Sequence, residues 1–131
     1  MSGFSRTVQL AVANWLRGTP MPTAPTGLYL ALSTSIINDD GTGFVEPTAG
    51  YTRIPMTLTT PTHSEGAGTV VRNVSGAVFG PATAAWAAVV AVAVLDQAGN
   101  ILLKGSLTAP KTAAIGDALP FGIGTLEFNV R

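Results

Sequence analysis

The chain has 131 residues and a mass of 13.3 kDa, with seven basic and seven acidic side chains, one histidine and no cysteine. That length supports one domain with a single core, the lack of cysteine excludes a disulfide framework and thiolate metal sites, and zero net charge argues against affinity built on phosphate backbones. Charged residues make up only 11% of the chain, against about 25% in ordinary domains, so the exterior is expected to be covered by other subunits. The plainer reading is a monomer with a polar face built from 17 threonines and 15 glycines.

Phe4, Val8, Ala11, Val12, Trp15 and Leu16 fall on one helical face, predicting an α-helix over about residues 3–17. Ser2 or Ser5 is placed to cap it, Arg17 favours the negative end of its dipole, and Gly18 stops it. These apolar residues recur at helical spacing rather than in one run, so no secretory signal is read there. Residues 19–25 hold Pro20, Pro22 and Pro25 and form an extended connector. The helix is expected to cross one end or face of a β domain spanning residues 26–131, or to dock on a neighbour.

From residue 26 the period changes to two. Leu28, Leu30 and Leu32 alternate with Tyr29, Ala31 and Ser33, which is a strand. Residues 35–50 form a polar loop centred on Asn38-Asp39-Asp40-Gly41. Over 51–60, Ile54, Met56 and Leu58 share one face, and Pro55, with no N–H to give, puts that strand at an edge or bulge. A loop over 61–68 leads to short strands at 69–74 and 77–79. The apolar run Trp86–Leu95 is ten residues, against the roughly 20 a membrane helix needs. It reads as a core strand from about Ala88 onward, turning through 96–100 into Ile101-Leu102-Leu103. Over 119–131, Leu126, Phe128 and Val130 alternate with Glu127, Asn129 and Arg131. The fold class is mainly β, a single antiparallel sandwich or barrel-like domain over 1–131 with a short N-terminal helix.

Groups for proton-transfer chemistry are few. His63 is the sole imidazole and reads as a loop histidine, since neighbouring Ser64 and Glu65 do not supply the convergent geometry of a triad. Asp39, Asp40 and Glu46 flank a glycine turn, but their spacing misses the calcium-loop pattern, leaving an Asx turn as the better reading. The glycine pairs Gly41/Gly43, Gly66/Gly68 and Gly122/Gly124 open no helix after a strand and read as turn or bulge glycines rather than phosphate cradles. Asn73-Val74-Ser75 matches a glycosylation sequon, read as idle without a secretory signal. Phe79 and Trp86 are assigned to the core. No catalytic, cofactor or metal residue is expected, and the chain is read as no enzyme.

Several segments in order carry a resemblance: Trp15-Leu16-Arg17-Gly18-Thr19-Pro20, then 24–34 (APTGLYLALST), the acidic glycine loop 39–43, Gly50-Tyr51-Thr52-Arg53, Ala82 to Trp86, the turn through Gly99 and Asn100 to Thr108, and Lys111-Thr112 before Gly116-Asp117. This arrangement resembles small virion proteins of tailed bacteriophages, often labelled tail fibre or hypothetical structural protein, over nearly the whole chain. It departs at 89–94, where Val and Ala replace the glycine-aromatic hairpin start of similar chains. The resemblance implies a non-enzymatic β-sandwich component of the virion, assembled in the host cytoplasm.

Within that class, the leading expectation is a capsid decoration (cement) protein clamping neighbouring shell subunits, because the chain shows no long coiled coil or fibre repeat. The alternative is a tail, baseplate or tail-fibre adaptor subunit. A host-carbohydrate-binding domain ranks lower, with two Trp and two Tyr available for sugar stacking. Expected partners are the major capsid protein and copies of the chain itself, with a trimer as the candidate oligomer, and neither nucleic acid nor membrane. The candidate interface is Phe4, Val8, Trp15, Leu16 and the edge at Pro55.

Overall fold

The computed structural model describes residues 2–65 and 68–130. Gly66, Arg131 and the side chains of Ser2 and Val130, all used in the sequence reading, lie outside that description. In chain order the elements are β1 (Ser2–Phe4), α1 (Arg6–Leu16), β2 (Leu28–Ser33), β3 (Ile54–Met56), β4 (Thr62–Ser64), β5 (Gly68–Arg72), β6 (Ala77–Phe79), β7 (Trp86–Leu95), β8 (Ile101–Ala113), β9 (Leu119–Phe121) and β10 (Glu127–Val130).

The valine-rich run becomes the central strand of a five-stranded antiparallel sheet ordered β1-β8-β7-β2-β3, as its β-branched residues favour. Val89, Val92 and Val94 are buried in the main core, while Ala91, Ala93 and Leu95 are buried in a second cluster. Both faces of β7 are therefore covered, which is why this segment reads as a continuous apolar run rather than an alternating one. The second cover is the 35–50 loop. Ile37 is buried and Phe44 packs beside it against Ala31 and Ala93, so the nominally polar loop supplies an apolar lid.

A three-stranded sheet, β10-β5-β4, faces the first, and β6 pairs with β9. The two larger sheets join on one side through the continuation of β3, where Thr59 N–H donates to Arg72 O and Val74 N–H to Thr57 O. On the other side β1 lies against β10, giving the barrel-like closure of the fold class read from the sequence. Pro55 occupies β3 at the edge of the five-stranded sheet, exposed and opposite Tyr29, as its missing donor requires.

The core between the sheets is aromatic. Tyr51 stacks on Phe79, with 5.9 Å between ring centroids, and meets Trp86 edge-on at 6.1 Å. Phe121 meets Phe79 edge-on at 5.9 Å. Trp86 Nε1 donates to Ala49 O at 2.6 Å, and Leu32 N–H donates to the Tyr51 hydroxyl oxygen at 3.0 Å. The loop returning to Tyr51 is thereby bonded to the core from both sides. Gly50 permits that turn. Its φ is +79°, and a Cβ there would sit 2.3 Å from Pro81 O, so an L side chain is excluded by both backbone strain and space.

Several boundaries differ from the sequence reading: the strand read over 51–60 shortens to Ile54–Met56, β5 covers Gly68–Arg72 instead of 69–74, β7 begins at Trp86 rather than near Ala88, and β8 runs on to Ala113. Phe4 belongs to β1, opposite Leu103, and packs half-buried against the main core; the helix starts after it, because the first residues pair with β8 instead of coiling. Thr62–Ser64 form β4 rather than a loop, paired with β5. Over 119–131 the chain breaks into β9 and β10, with turns at Gly122 and Gly124 between them.

Candidate interaction surface

Helix α1 has 11 residues and buries none of them. It is joined to the barrel at its beginning, where Ser5 N–H donates to Leu102 O and Arg6 N–H donates to Asp39 O. Lys104 Nζ lies 2.8 Å from Asp39 Oδ1, and the hydrogen bond and positive charge of that lysine hold the Asp39 carboxyl below its ordinary 3.8. Ser5 occupies the N-cap position with extended backbone, but its side chain makes no cap bond, and its Oγ is buried without a partner. At the far end Gly18 takes positive φ and Arg17 bonds the Asn14 side chain. The exposed connector that follows returns to the barrel where Thr26 N–H donates to Gln97 Oε1.

Residues 6–26 therefore form an arm tied to the barrel at both ends, with none of its helix fully buried between them. Val8, Ala11 and Val12 are half-buried, whereas Trp15 is 56% and Leu16 74% exposed. Leu10 and Met21 are exposed on the same arm. The apolar face read from the periodicity is present, and its own chain covers it only in part: Val8, Ala11 and Val12 lean on the barrel, while Trp15 and Leu16 stay in solvent. Of the five interface candidates, Val8, Trp15 and Leu16 share the arm. Phe4 is drawn into the barrel wall, and Pro55 sits across the sheet on the opposite edge.

The remaining polar groups are distributed among separate structural partners. Asp40 Oδ1 accepts from Thr42 N–H at 3.0 Å and from its hydroxyl at 2.6 Å, which is the Asx turn expected there. Glu46 pairs with Arg53 at 2.6 Å. Burial raises its carboxyl, and the bonds from Arg53 and Tyr51 outweigh that and leave it below the ordinary 4.5. Burial together with the neighbouring Glu46 pushes the Tyr51 hydroxyl well above its usual range. Asp39, Asp40 and Glu46 thus answer to three different partners rather than converging on one point. His63 projects from β4, exposed, with Nδ1 2.9 Å from Thr69 Oγ1.

Two open grooves of about 290 and 330 Å³ run beside β8 and share Leu107, Thr108, Thr125 and Leu126 in their walls. Their titratable lining groups are Lys111, which lies over the Phe121 ring at 5.6 Å, and Glu127, which is paired with Arg72. Neither groove brings together an acid and a base with a nucleophile. Among the described residues, no helix is long and apolar enough to cross a membrane.

Asn73 has a role that motif reading missed. It is 1% exposed; its amide nitrogen donates to Ser75 O and Gly122 O, each at 2.9 Å, and its Oδ1 accepts from Leu126 N–H at 3.0 Å. The side chain named by the sequon is thus used in joining β5 to the β9–β10 connection. The available signal was its inward phase after Val71, an amide where the alternation calls for an apolar residue.

No curated protein matches the chain. Residues 3–129 match the family model described as Podophage GP4 fiber I protein gp80, and the chain, a β-rich domain with one partly exposed amphipathic helix, belongs to that family of tailed-phage virion structural proteins.

Proposed function

We propose that the chain is a non-enzymatic fibre subunit of the phage particle, and that it engages neighbouring virion chains through the apolar face of α1. The observation that carries this reading is an 11-residue helix with no buried residue and with Trp15 and Leu16 turned to solvent. Isolated helices of that length are marginal in water, and helices in proteins draw their stability from packing one face. A helix that its own barrel covers only in part, with Trp15 and Leu16 in solvent, gains the rest of that packing from another chain. Acid–base machinery does not enter this role, and the scattered carboxylates and single histidine serve the loops and strands that carry them.

Capsid decoration is the second reading. It is favoured by the small barrel, which has no elongated repeat to build a shaft by itself, and by the low charge of its exterior. In that case the partner is the major capsid protein, and the contact multiplies a modest energy over many symmetric sites. Locating the protein on intact particles by electron microscopy with a bound antibody separates the two. Density on the tail fibres is expected; density covering the head replaces the fibre reading with decoration, and particles that lack the protein overturn both. Filled heads stripped of the protein are expected to resist heat as well as complete ones if it is a fibre subunit, and to fail earlier if it is a clamp. Saturable binding or turnover of host polysaccharide would instead revive a carbohydrate-directed role.

A further inference from the structure

Residues 2–16 sit on the barrel as one piece. β1 pairs with 103–105 of β8, its Phe4 packs half-buried against the main core, and it lies against β10 where the wall closes. Among the described residues, the strands that α1 packs against are β1 and β8. The bonds at the start of the helix run from Ser5 N–H to Leu102 O and from Arg6 N–H to Asp39 O. β1 and α1 thus form one unit, seated on β8 and the 35–50 loop.

The segment joining that unit to the rest of its chain has no such seat. Every residue from 17 to 26 is exposed. Gly18 N–H and Thr19 N–H close the helix end onto Trp15 O and Asn14 O, and the next tie is Thr26 N–H to Gln97 Oε1. Among the described residues, none of 20–25 is bonded to the barrel. Pro20, Pro22 and Pro25 hold this stretch extended, so bridging two copies with it loses less chain freedom than a flexible linker would.

We infer that the β1–α1 unit is exchanged between copies, each unit leaving its own barrel and filling the same seat on another. The inference rests on the reading of the chain as a virion subunit and names a second copy as its partner. The seat itself selects the occupant. A barrel that gives up its unit bares the core beneath Phe4 and the backbone edge of β8, and an open strand edge takes up another strand. The strand whose register and side chains match that gap is another β1. Exchange reproduces between chains every contact seen within one, so the balance between the closed and exchanged forms falls to the connector and to concentration.

The arm is long enough. In the sheet order β1 lies three strand spacings from β2, about 14 Å. The 11 residues of α1 in line with an extended 17–26 reach about 47 Å. A chain of 131 residues has a radius of gyration of about 14 Å, which sets touching copies about 36 Å apart. The arm therefore exceeds what its own barrel requires and spans to the next. Reciprocal exchange closes a dimer, and one-way exchange runs on as a ring or a fibre.

Gly3→Cys combined with Lys104→Cys tests which chain fills the seat. The two positions face each other across β1 and β8, at a spacing that a disulfide spans. A Cβ at Gly3 meets nothing within 4 Å, and the chain has no cysteine of its own. Oxidised and then denatured without reductant, the double variant is expected to run as covalent dimers or a ladder. A disulfide closed within single chains in all of the material overturns the exchange. A second variant needs no disulfide and keeps Lys104 on Asp39: the recognition sequence of a specific protease is inserted after Met21. Cutting there is expected to reduce the assembly to single barrels, each retaining a β1–α1 peptide without a covalent link. An assembly that keeps its size after complete cutting, or an unmodified chain that is monomeric at every concentration, overturns the exchange. The two readings fail separately. Intrachain disulfides in a protein found on particles remove the exchange alone, and exchanged copies absent from particles remove the virion role alone.

Discussion

The barrel and the arm use the same kinds of residue to opposite ends. Around Phe79, Tyr51 and Trp86 the aromatic side chains interlock, and Phe79 is fully buried. On α1, Trp15 has comparable apolar area and remains mostly in water. The barrel residues therefore hold one chain together, while the arm leaves Trp15 and Leu16 in water, an area that the proposed function assigns to contact with another chain. Hydrophobicity alone does not separate these roles; the number of neighbours that the same chain can bring to the side chain does.

The sharpest way to break this comparison is Phe79→Ala. Opening a cavity between Tyr51 and Phe121 is expected to cost about 3–5 kcal/mol, read as a lower urea midpoint. A loss below about 1 kcal/mol would place the aromatic cluster outside the cooperative core.

Asn73→Ala follows. It leaves the Leu126 N–H and the Ser75 and Gly122 carbonyls without their side-chain partner, and is expected to cost about 1–3 kcal/mol, measured in the same way. Faster hydrogen exchange at the Leu126 amide would locate the loss.

Trp15→Asp reverses the pattern. Stability of the isolated barrel is expected to move by no more than about 0.5 kcal/mol, while incorporation into particles falls. A large drop in the unfolding midpoint of the monomer would show that the arm is part of the core after all.

The smallest expected effect is that of pH at the tie between arm and barrel. Asp39 has its carboxyl lowered in the folded chain, so its contribution is present above the ordinary value of 3.8 and is lost as pH falls through the lower folded value. Glu46, lowered below 4.5, titrates with the same sign. Acidification below about pH 4 is thus expected to loosen the start of α1 and the 46–53 loop, visible as faster exchange of the Arg6 amide. Asp39→Asn is expected to remove the pH dependence at Arg6 while leaving that at Glu46.

How much was legible varied with the range of the interaction. The strand at Leu28–Ser33, the turn at 96–100 and the edge position of Pro55 follow from alternation, turn chemistry and a missing donor, all local properties. The position of Phe4 does not. Its spacing to Val8 fits a helix, and only pairing with Leu103, 99 residues along the chain, draws it into a strand. Thr62–Ser64 has polar, exposed side chains and no alternation; its backbone bonds to β5 make it a strand. The interface candidates divide for the same reason. Val8, Trp15 and Leu16 lie together because one helix carries them, whereas Phe4 and Pro55 depend on strand order, which spacing does not encode.

By itself, the sequence determined that the chain is mainly β, that it carries one amphipathic helix near its N-terminal end, and that ionic groups are too sparse to dominate its exterior. These are consequences of periodicity and composition, which act over a few residues or over the whole chain. Only the tertiary structure decided that the loop at 35–50 would bury Ile37 and close the outer face of the sheet, and that the helix would keep Trp15 and Leu16 in solvent. Which apolar faces find a partner within the chain is a question of geometry among distant segments. The loop lid and the second sheet take the two faces of β7, and α1 is left leaning on the barrel with Val8, Ala11 and Val12 half-buried and Trp15 and Leu16 in solvent.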